Sequence, residues 1–535
     1  MLNSFQPVRK NNNFKIYLST LIIFIFFTNI YSQDTKTLKL DPALLVSLKE
    51  CQKIATQLGD KLYPGWDFNK TPILLYKPNV QELLINYPHK PKGFSEYTGF
   101  NPLNGQKIYV RNETTFIKYD DQNTTYLVEG IDVLVVADTY SSMRAQLRGI
   151  TMNQTKEQVV KWLDNWSFIG SPYHKLSTIL HEGFHVYQNL SAPNKNANEG
   201  SVASYPFLNP INNSLYELEG AILKDALFAK DKKRIIKKIN EFVAVRTHRQ
   251  SLLDSVFVAY ENLNEFKEGT AKYIQYKMYS EGKNMIPIKE MKYVNGFTDY
   301  KIALPKIFKN EIEDMVKIVG VKDNRFGNRF GAGPLRFKLY DLGACQGLLL
   351  DKVMPEWKNN IFKDGVYLSD LLDEATNLSK SEKIEHLNDA KSAYNYDLIY
   401  KEKLAFQKEG KKVIQEKVYA IMKSKNTLVV INYKGHKIRG LSYTPFGITK
   451  VTDYATIYEM TPIGIYFDKV RKLISKTQFP VLVNTKEEKV YFSIKTAIDE
   501  FTAGTSTKLS MKEFELVAEE INIVKEANRV IITFK

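Results

Sequence analysis

The stretch from Ser171 to Gln188, Ser-Pro-Tyr-His-Lys-Leu-Ser-Thr-Ile-Leu-His-Glu-Gly-Phe-His-Val-Tyr-Gln, constrains this chain more than any other. Ser171 suits an N-cap and Pro172 the first helical position, while Pro193 stands just beyond the far end. Inside that helix His181 and His185 lie four residues apart, so both imidazoles project from one face. Two ring nitrogens at this spacing hold one metal ion, with zinc expected. Glu182 beside them is placed to accept a proton from an attacking water. Ile179, Leu180, Phe184 and Val186 supply an apolar side for packing. With only 7 histidines in 535 residues, His-Glu-x-x-His should arise by chance in well under about one such chain in a hundred. The competing reading is a buried helix with two hydrogen-bonded histidines and an ion-paired glutamate. Gly183 lowers helix propensity, which is tolerable if a neighbour passes close by.

A catalytic zinc site takes three protein ligands and leaves a fourth position for water. Residue 188 is Gln and residue 191 is Ser, so no third histidine follows in the HExxHxxGxxH arrangement. The third ligand is therefore expected to be a carboxylate on a later helix. Glu261, Glu265 and Glu268 share a face at i, i+4 and i+7. Three acids so placed repel one another unless a cation sits among them. Zinc or an arginine would serve, and Arg246 and Arg249 are the nearest arginines upstream. Glu219, within Tyr216-Glu217-Leu218-Glu219-Gly220-Ala221, is a rival closer in sequence to the histidines.

Taken with His181, Glu182 and His185, the segment Glu268-Gly269-Thr270-Ala271 resembles the gluzincins. These zinc peptidases carry HExxH on one helix and a glutamate ligand on another. The match in motif covers about residues 170–280. Its spacing departs from the aminopeptidase N-like members, because the two motifs lie further apart here. A broad group of secreted bacterial zinc peptidases, with a long insertion between the motifs, is the more similar one. The resemblance implies a zincin-like fold and Glu268 as the third zinc ligand, with Glu219 and Glu265 as alternatives. It further implies a Tyr or His beyond the third-ligand helix that donates to the developing oxyanion. Tyr340, in the segment from Arg336 to Gly347, is the candidate. The implied activity is peptide-bond hydrolysis by a zinc-activated water, with Glu182 as general base and a peptide or protein as substrate. The alternative is a catalytically inactive binding protein that keeps the fold, against which the intact Glu182 argues.

The rest of the sequence frames this centre. Arg9, Lys10 and Lys15 precede a short apolar run from Ile16 to Phe27, and Ser32 is followed by soluble composition. Residues 1–32 thus read as a secretory signal peptide, with a single N-terminal anchor as the alternative. A secreted or periplasmic protein with no stable membrane span after cleavage is expected. The formal net charge of +16 is modest for this length and is no nucleic-acid signature. Cys51 and Cys345 are too few for a disulfide scaffold; two buried thiols are expected, with a single pairing of the two as the alternative. A helix is expected over residues 40–60, then short strands near 73–76, 83–87, 107–110 and 131–136. Helices should dominate from 155 to 424, with the Lys-rich 407–425 as a solvated helix or linker. Strand-like runs return from 427 onwards. The expectation is an α+β chain: 33–424 as a zincin-like domain with a small N-terminal sheet, and 425–535 as a separate β-rich accessory domain.

Overall fold

A computed structural model describes residues 36–99, 103, 106–112, 124–137, 171–317, 329–443, 447–459 and 463–535. The expected signal peptide and the expected helical stretch 155–170 lie outside these residues. The chain is α+β, with a small sheet, a helical body and a β-rich C-terminal region. Among the described residues no helix is long and apolar enough to cross a membrane.

Helix α1 (Pro42–Leu58) opens the body. The Asp41 side chain caps it by accepting from the Ala43 N–H at 2.9 Å. Leu44, Leu48, Cys51, Ile54 and Leu58 recur at helical spacing and are buried. The first sheet holds β1 (Ile73–Lys77), β2 (Gln81–Ile85), β3 (Ser95–Glu96), β4 (Ile108–Arg111), β5 (Thr124–Val128) and β6 (Ile131–Ala137). Its order is β3-β4-β2-β1-β6-β5, with β1 and β6 parallel, pairing Ile73 with Leu134, and the other pairs antiparallel. Alternation splits these strands between two apolar faces. Ile73, Leu75, Leu83, Ile85, Leu134 and Val136 join the core of the helical body. Leu74, Tyr76, Leu84, Val133 and Val135 form a second cluster on the other face.

The predicted metal-binding helix is α2 (Pro172–Ser191), and it lies against α1, β5 and β6. Pro172 occupies its first turn, but the Ser171 side chain makes no capping hydrogen bond. The expected close passage at Gly183 is observed: a Cβ there would stand 2.8 Å from the Phe68 ring. Next come α3 (Pro210–Phe228), α4 (Lys232–Gln250) and α5 (Ser255–Asn264). A five-residue π turn, Glu265–Gly269, joins α5 to α6 (Thr270–Glu281) without a break. The body is completed by α7 (Tyr300–Met315), α8 (Ala332–Val353), α9 (Leu368–Thr376), α10 (Lys380–Ala393) and α11 (Tyr396–Met422). The segment expected to be a solvated helix or linker is the second half of α11. Lys403, Phe406, Gly410, Ile414 and Ile421 bury one of its faces at helical spacing.

The C-terminal strands are β7 (Thr427–Asn432), β8 (Gly440–Ser442), β9 (Ile448–Thr452), β10 (Ala455–Tyr458), β11 (Gly464–Tyr466) and β12 (Lys472–Ser475). They continue with β13 (Val481–Asn484), β14 (Lys489–Ile494), β15 (Gly504–Ser510), β16 (Phe514–Glu526) and β17 (Arg529–Phe534). Their order is β8-β11-β12-β16-β17-β7-β14-β13-β10-β9, with β15 also paired to β16. Only β7 and β17 run parallel among these pairs, and Val430 stands opposite Ile531. Val429 and Ile431 join the apolar cluster that includes the helical body, while Leu428 and Val430 meet Ile421 of α11 on the other face.

Candidate metal centre

The three ligand atoms predicted by motif converge. His181 Nε2 and His185 Nε2 each stand 3.4 Å from Oε2 of Glu268. Among the described residues this trio is the one cluster of its kind, its ligand atoms lying within 4.8 Å of one another. Two donors each ~2.1 Å from one tetrahedral ion would be separated by ~3.4 Å, so the observed spacing fits such an ion. The donor set, two imidazoles and one carboxylate, is the catalytic type, with one position left for a further ligand. It is not exclusive to zinc, because cobalt and nickel accept the same donors.

Local sequence explains why the donors hold these poses. The four-residue spacing brings the two histidine rings together edge to face along α2, with centroids 4.8 Å apart. Gln188, one turn beyond His185, accepts from its Nδ1 at 2.6 Å. That bond keeps the proton on Nδ1 and the lone pair on Nε2, where a metal needs it. The Gln188 amide in turn donates to the carbonyls of Phe266 and Lys267 at 3.2 and 2.9 Å, and to the Thr270 hydroxyl at 2.7 Å. One side chain thus orients a ligand and ties α2 to the π turn that carries Glu268. His181 Nδ1 has no hydrogen-bond partner among the described residues. Its ring instead stacks against Tyr340, at 6.0 Å and 21°.

The π turn is held from two sides. Gly269 and Gly343 let its backbone touch that of α8: a Cβ on Gly269 would lie 2.6 Å from the Gly343 Cα. A Cβ on Gly343 would lie 2.6 Å from the Glu265 carbonyl oxygen. On the other side Arg246 grips Glu265 through both carboxylate oxygens, at 2.9 and 2.8 Å. Arg246 also reaches Glu219 at 2.9 Å. Arg249 bonds Glu219 at 2.6 Å and forks onto Glu261 with two bonds of 2.8 Å. Two arginines, not a metal, separate these three acids, and all five side chains are buried. Glu219 and Glu265, the alternative ligands, are consumed in this network, and Glu268 alone faces the histidines.

Charges at the centre are tightly coupled. Burial pushes the Glu182 carboxyl up to about 7, with Glu268 adding to the rise while His185 and Lys267 oppose it. Burial drives the His181 imidazole down to about 4, partly offset by its bond to Glu268. Burial acts the same way on His185, but the Glu268 carboxylate outweighs it and raises that ring. Burial alone would raise Glu268; the neighbouring His185, His181 and Arg336 hold it well below the usual carboxylate range. The Tyr340 hydroxyl, raised by burial and then by Glu268, remains protonated and able to donate.

Two supporting groups escaped the sequence reading. Gln188 registered only as the absence of a third histidine, although its place one turn after His185 on the same face was the available signal. Arg336, one turn before Tyr340 on α8, bonds Oε1 of Glu268 at 3.3 Å. Elsewhere both cysteines are free and buried, as expected. His89 pairs with Glu129 at 3.2 Å on the surface, and His386 stands 3.4 Å from the Asn240 amide, both remote from the trio in sequence and partners. No family model, curated protein or solved structure matches this chain, so its own residues carry the functional reading.

Proposed function

We propose that this chain is an exported zinc-dependent peptidase of gluzincin type. The observation that carries the reading is the convergence of His181, His185 and Glu268 beside Glu182 and Tyr340. When bound by the trio, zinc would supply Lewis-acid polarisation of the scissile carbonyl and of the attacking water. Glu182 takes the proton of that water and passes it to the leaving amine; its elevated pKa suits both directions of transfer near neutral pH. Tyr340, whose ring lies against His181, donates a hydrogen bond from its hydroxyl to the oxygen that becomes negative. Gln188 and Tyr340 keep the two imidazoles from turning. Strand β5, at one end of the first sheet and packed near α2, offers an edge to which an extended peptide adds as a further strand.

The test is zinc content measured beside hydrolysis of casein. Glu182→Gln should keep stoichiometric zinc and lose about 100- to 10,000-fold in turnover, the usual worth of a general base. Equal turnover in that variant would remove Glu182 from the mechanism. A wild type that binds zinc but cleaves nothing in a broad peptide library would favour a binding protein instead.

A further inference from the structure

Glu268 uses its two oxygens for different purposes. Oε2 faces both histidines at 3.4 Å. Oε1 faces the opposite way and accepts from Arg336 Nη2 at 3.3 Å. The same guanidinium extends Nη1 to the Glu199 carboxylate and, at 3.3 Å, to Asn264 Oδ1. It lies on α8 one turn before Tyr340, with its centre 5.9 Å from that ring. Glu199 belongs to the turn Glu199–Ser204, which lies against both α5 and strand β9 of the C-terminal sheet. The Tyr443 hydroxyl donates to the Glu199 carbonyl at 3.1 Å, and the Lys450 ammonium to the Ser204 carbonyl at 2.9 Å. Tyr260, from α5, contributes a longer bond of 3.4 Å to the Glu199 carboxylate.

We propose that Arg336 is a positioning residue for the third metal ligand, braced in turn by the C-terminal sheet through the Glu199 turn. The inference rests on the metal-site reading above. Its physical content is that a carboxylate with one oxygen occupied by a guanidinium presents only the other to a metal. The site then keeps one-oxygen coordination by Glu268, and the remaining position stays open for a substrate atom. Without Arg336 the restraint on Oε1 is lost, and the carboxylate can bring both oxygens to the ion. A lysine keeps the charge but lacks the planar fork that spans Glu268 and Glu199 together. The C-terminal region is, on this account, part of the metal centre and not an appendage to it.

The experiment loads the full chain with cobalt, whose visible absorption reports coordination number, and titrates cobalt and zinc affinity in parallel. Arg336→Met should weaken affinity about 10- to 100-fold, as loss of a partner that orients a ligand does. Its cobalt bands should weaken and shift as the fifth coordination position fills. Arg336→Lys should recover part of the affinity but not the wild-type spectrum. Tyr443→Phe, which removes one donor to the Glu199 turn and no charge, should shift the affinity a few-fold in the same direction. Circular dichroism of each variant without metal checks folding, and if Arg336→Met fails to fold, the Lys and Phe variants decide. Wild-type affinity and spectrum in both Arg336 variants would overturn the positioning role alone. A wild type that binds neither ion would overturn the metal reading, and this inference with it.

Discussion

Four glutamates crowd the ground between α3 and the π turn, and their partners separate them. Glu219, Glu261 and Glu265 meet Arg246 and Arg249, while Glu268 meets the histidines. Glu268→Gln should therefore lower zinc affinity sharply with little loss of stability. Glu219→Gln should do the reverse, costing about 3–5 kcal/mol in urea unfolding while zinc content holds, because it leaves buried guanidinium charge short of a partner. Zinc analysis and denaturation of the two variants side by side check both; loss of zinc from Glu219→Gln would reverse the assignment. A second residue-scale outcome concerns acid. Burial depresses the His174 imidazole to about 4, from an ordinary value of 6.5, with Glu311 opposing and Lys272 assisting. Between those values the unfolded chain takes up a proton that the folded chain refuses, so His174 contributes a loss of stability as pH falls from 6.5 towards 4. His174→Gln should flatten that limb, read as a smaller difference between urea midpoints at pH 7 and pH 5. At this scale the sequence was most legible: His181, Glu182, His185 and Glu268 were readable because their chemistry is tied to spacing along one or two helices. Arg336 was not, because nothing in the sequence near it encodes a contact with a residue 68 positions away.

Among the elements, helices and strands with clean periodicity agree with expectation, and the differences have physical causes. Helix α1 and strands β1, β2, β4 and β6 fall within a few residues of their expected places. Strand β16 lies within the region expected to be β-rich but was not singled out as a strand, since Glu515, Glu519 and Glu520 interrupt its apolar run. The π turn was also invisible. Helical spacing predicts one face for Glu261, Glu265 and Glu268, but the wider turn rotates Glu268 away from the arginines that hold the other two. Such turns are frequent at functional sites, and here the contact between Gly269 and Gly343 pins it. Neither glycine needs a positive φ; what they provide is room. Gly343→Ala should thus destabilise by about 1–3 kcal/mol through overpacking, and should weaken zinc binding by displacing Glu268. An alanine variant with unchanged urea midpoint and unchanged zinc affinity would show that the turn is set elsewhere. Gly183, by contrast, faces the Phe68 ring, a side chain with some freedom to yield, so Gly183→Ala should disturb the site less.

For the whole molecule, the composition change near residue 425 correctly marks where strands begin, at Thr427. It does not by itself say whether the sheet folds alone. Helix α11 bears on that question because it serves both regions: Phe406 packs with Phe330 of the helical body, and Ile421 lies among Leu428, Val430 and Tyr491 of the sheet. Apolar packing runs unbroken from α2 to β17. Polar ties cross as well, from Lys417 of α11 to Glu459, from Tyr443 to Glu199 and from Lys450 to Ser204. A chain cut in two here would expose apolar surface on both pieces, which disfavours an intermediate with one half folded. The two regions should consequently unfold together. No tryptophan follows Trp357 in the sequence, so none belongs to the sheet, while Trp66 and Trp357 are buried in the helical body and their fluorescence follows it. The sheet is followed through amide exchange of residues 428–432 in β7 and 530–533 in β17, the parallel pair at its centre. In increasing urea the fluorescence transition and the loss of exchange protection should coincide, with a single midpoint. Protection that survives after the tryptophan signal is gone would show that residues 425–535 fold independently. In that case Tyr443 and Lys450 meet the Glu199 turn across a docked interface, and the bracing of Arg336 would depend on docking, not on folding.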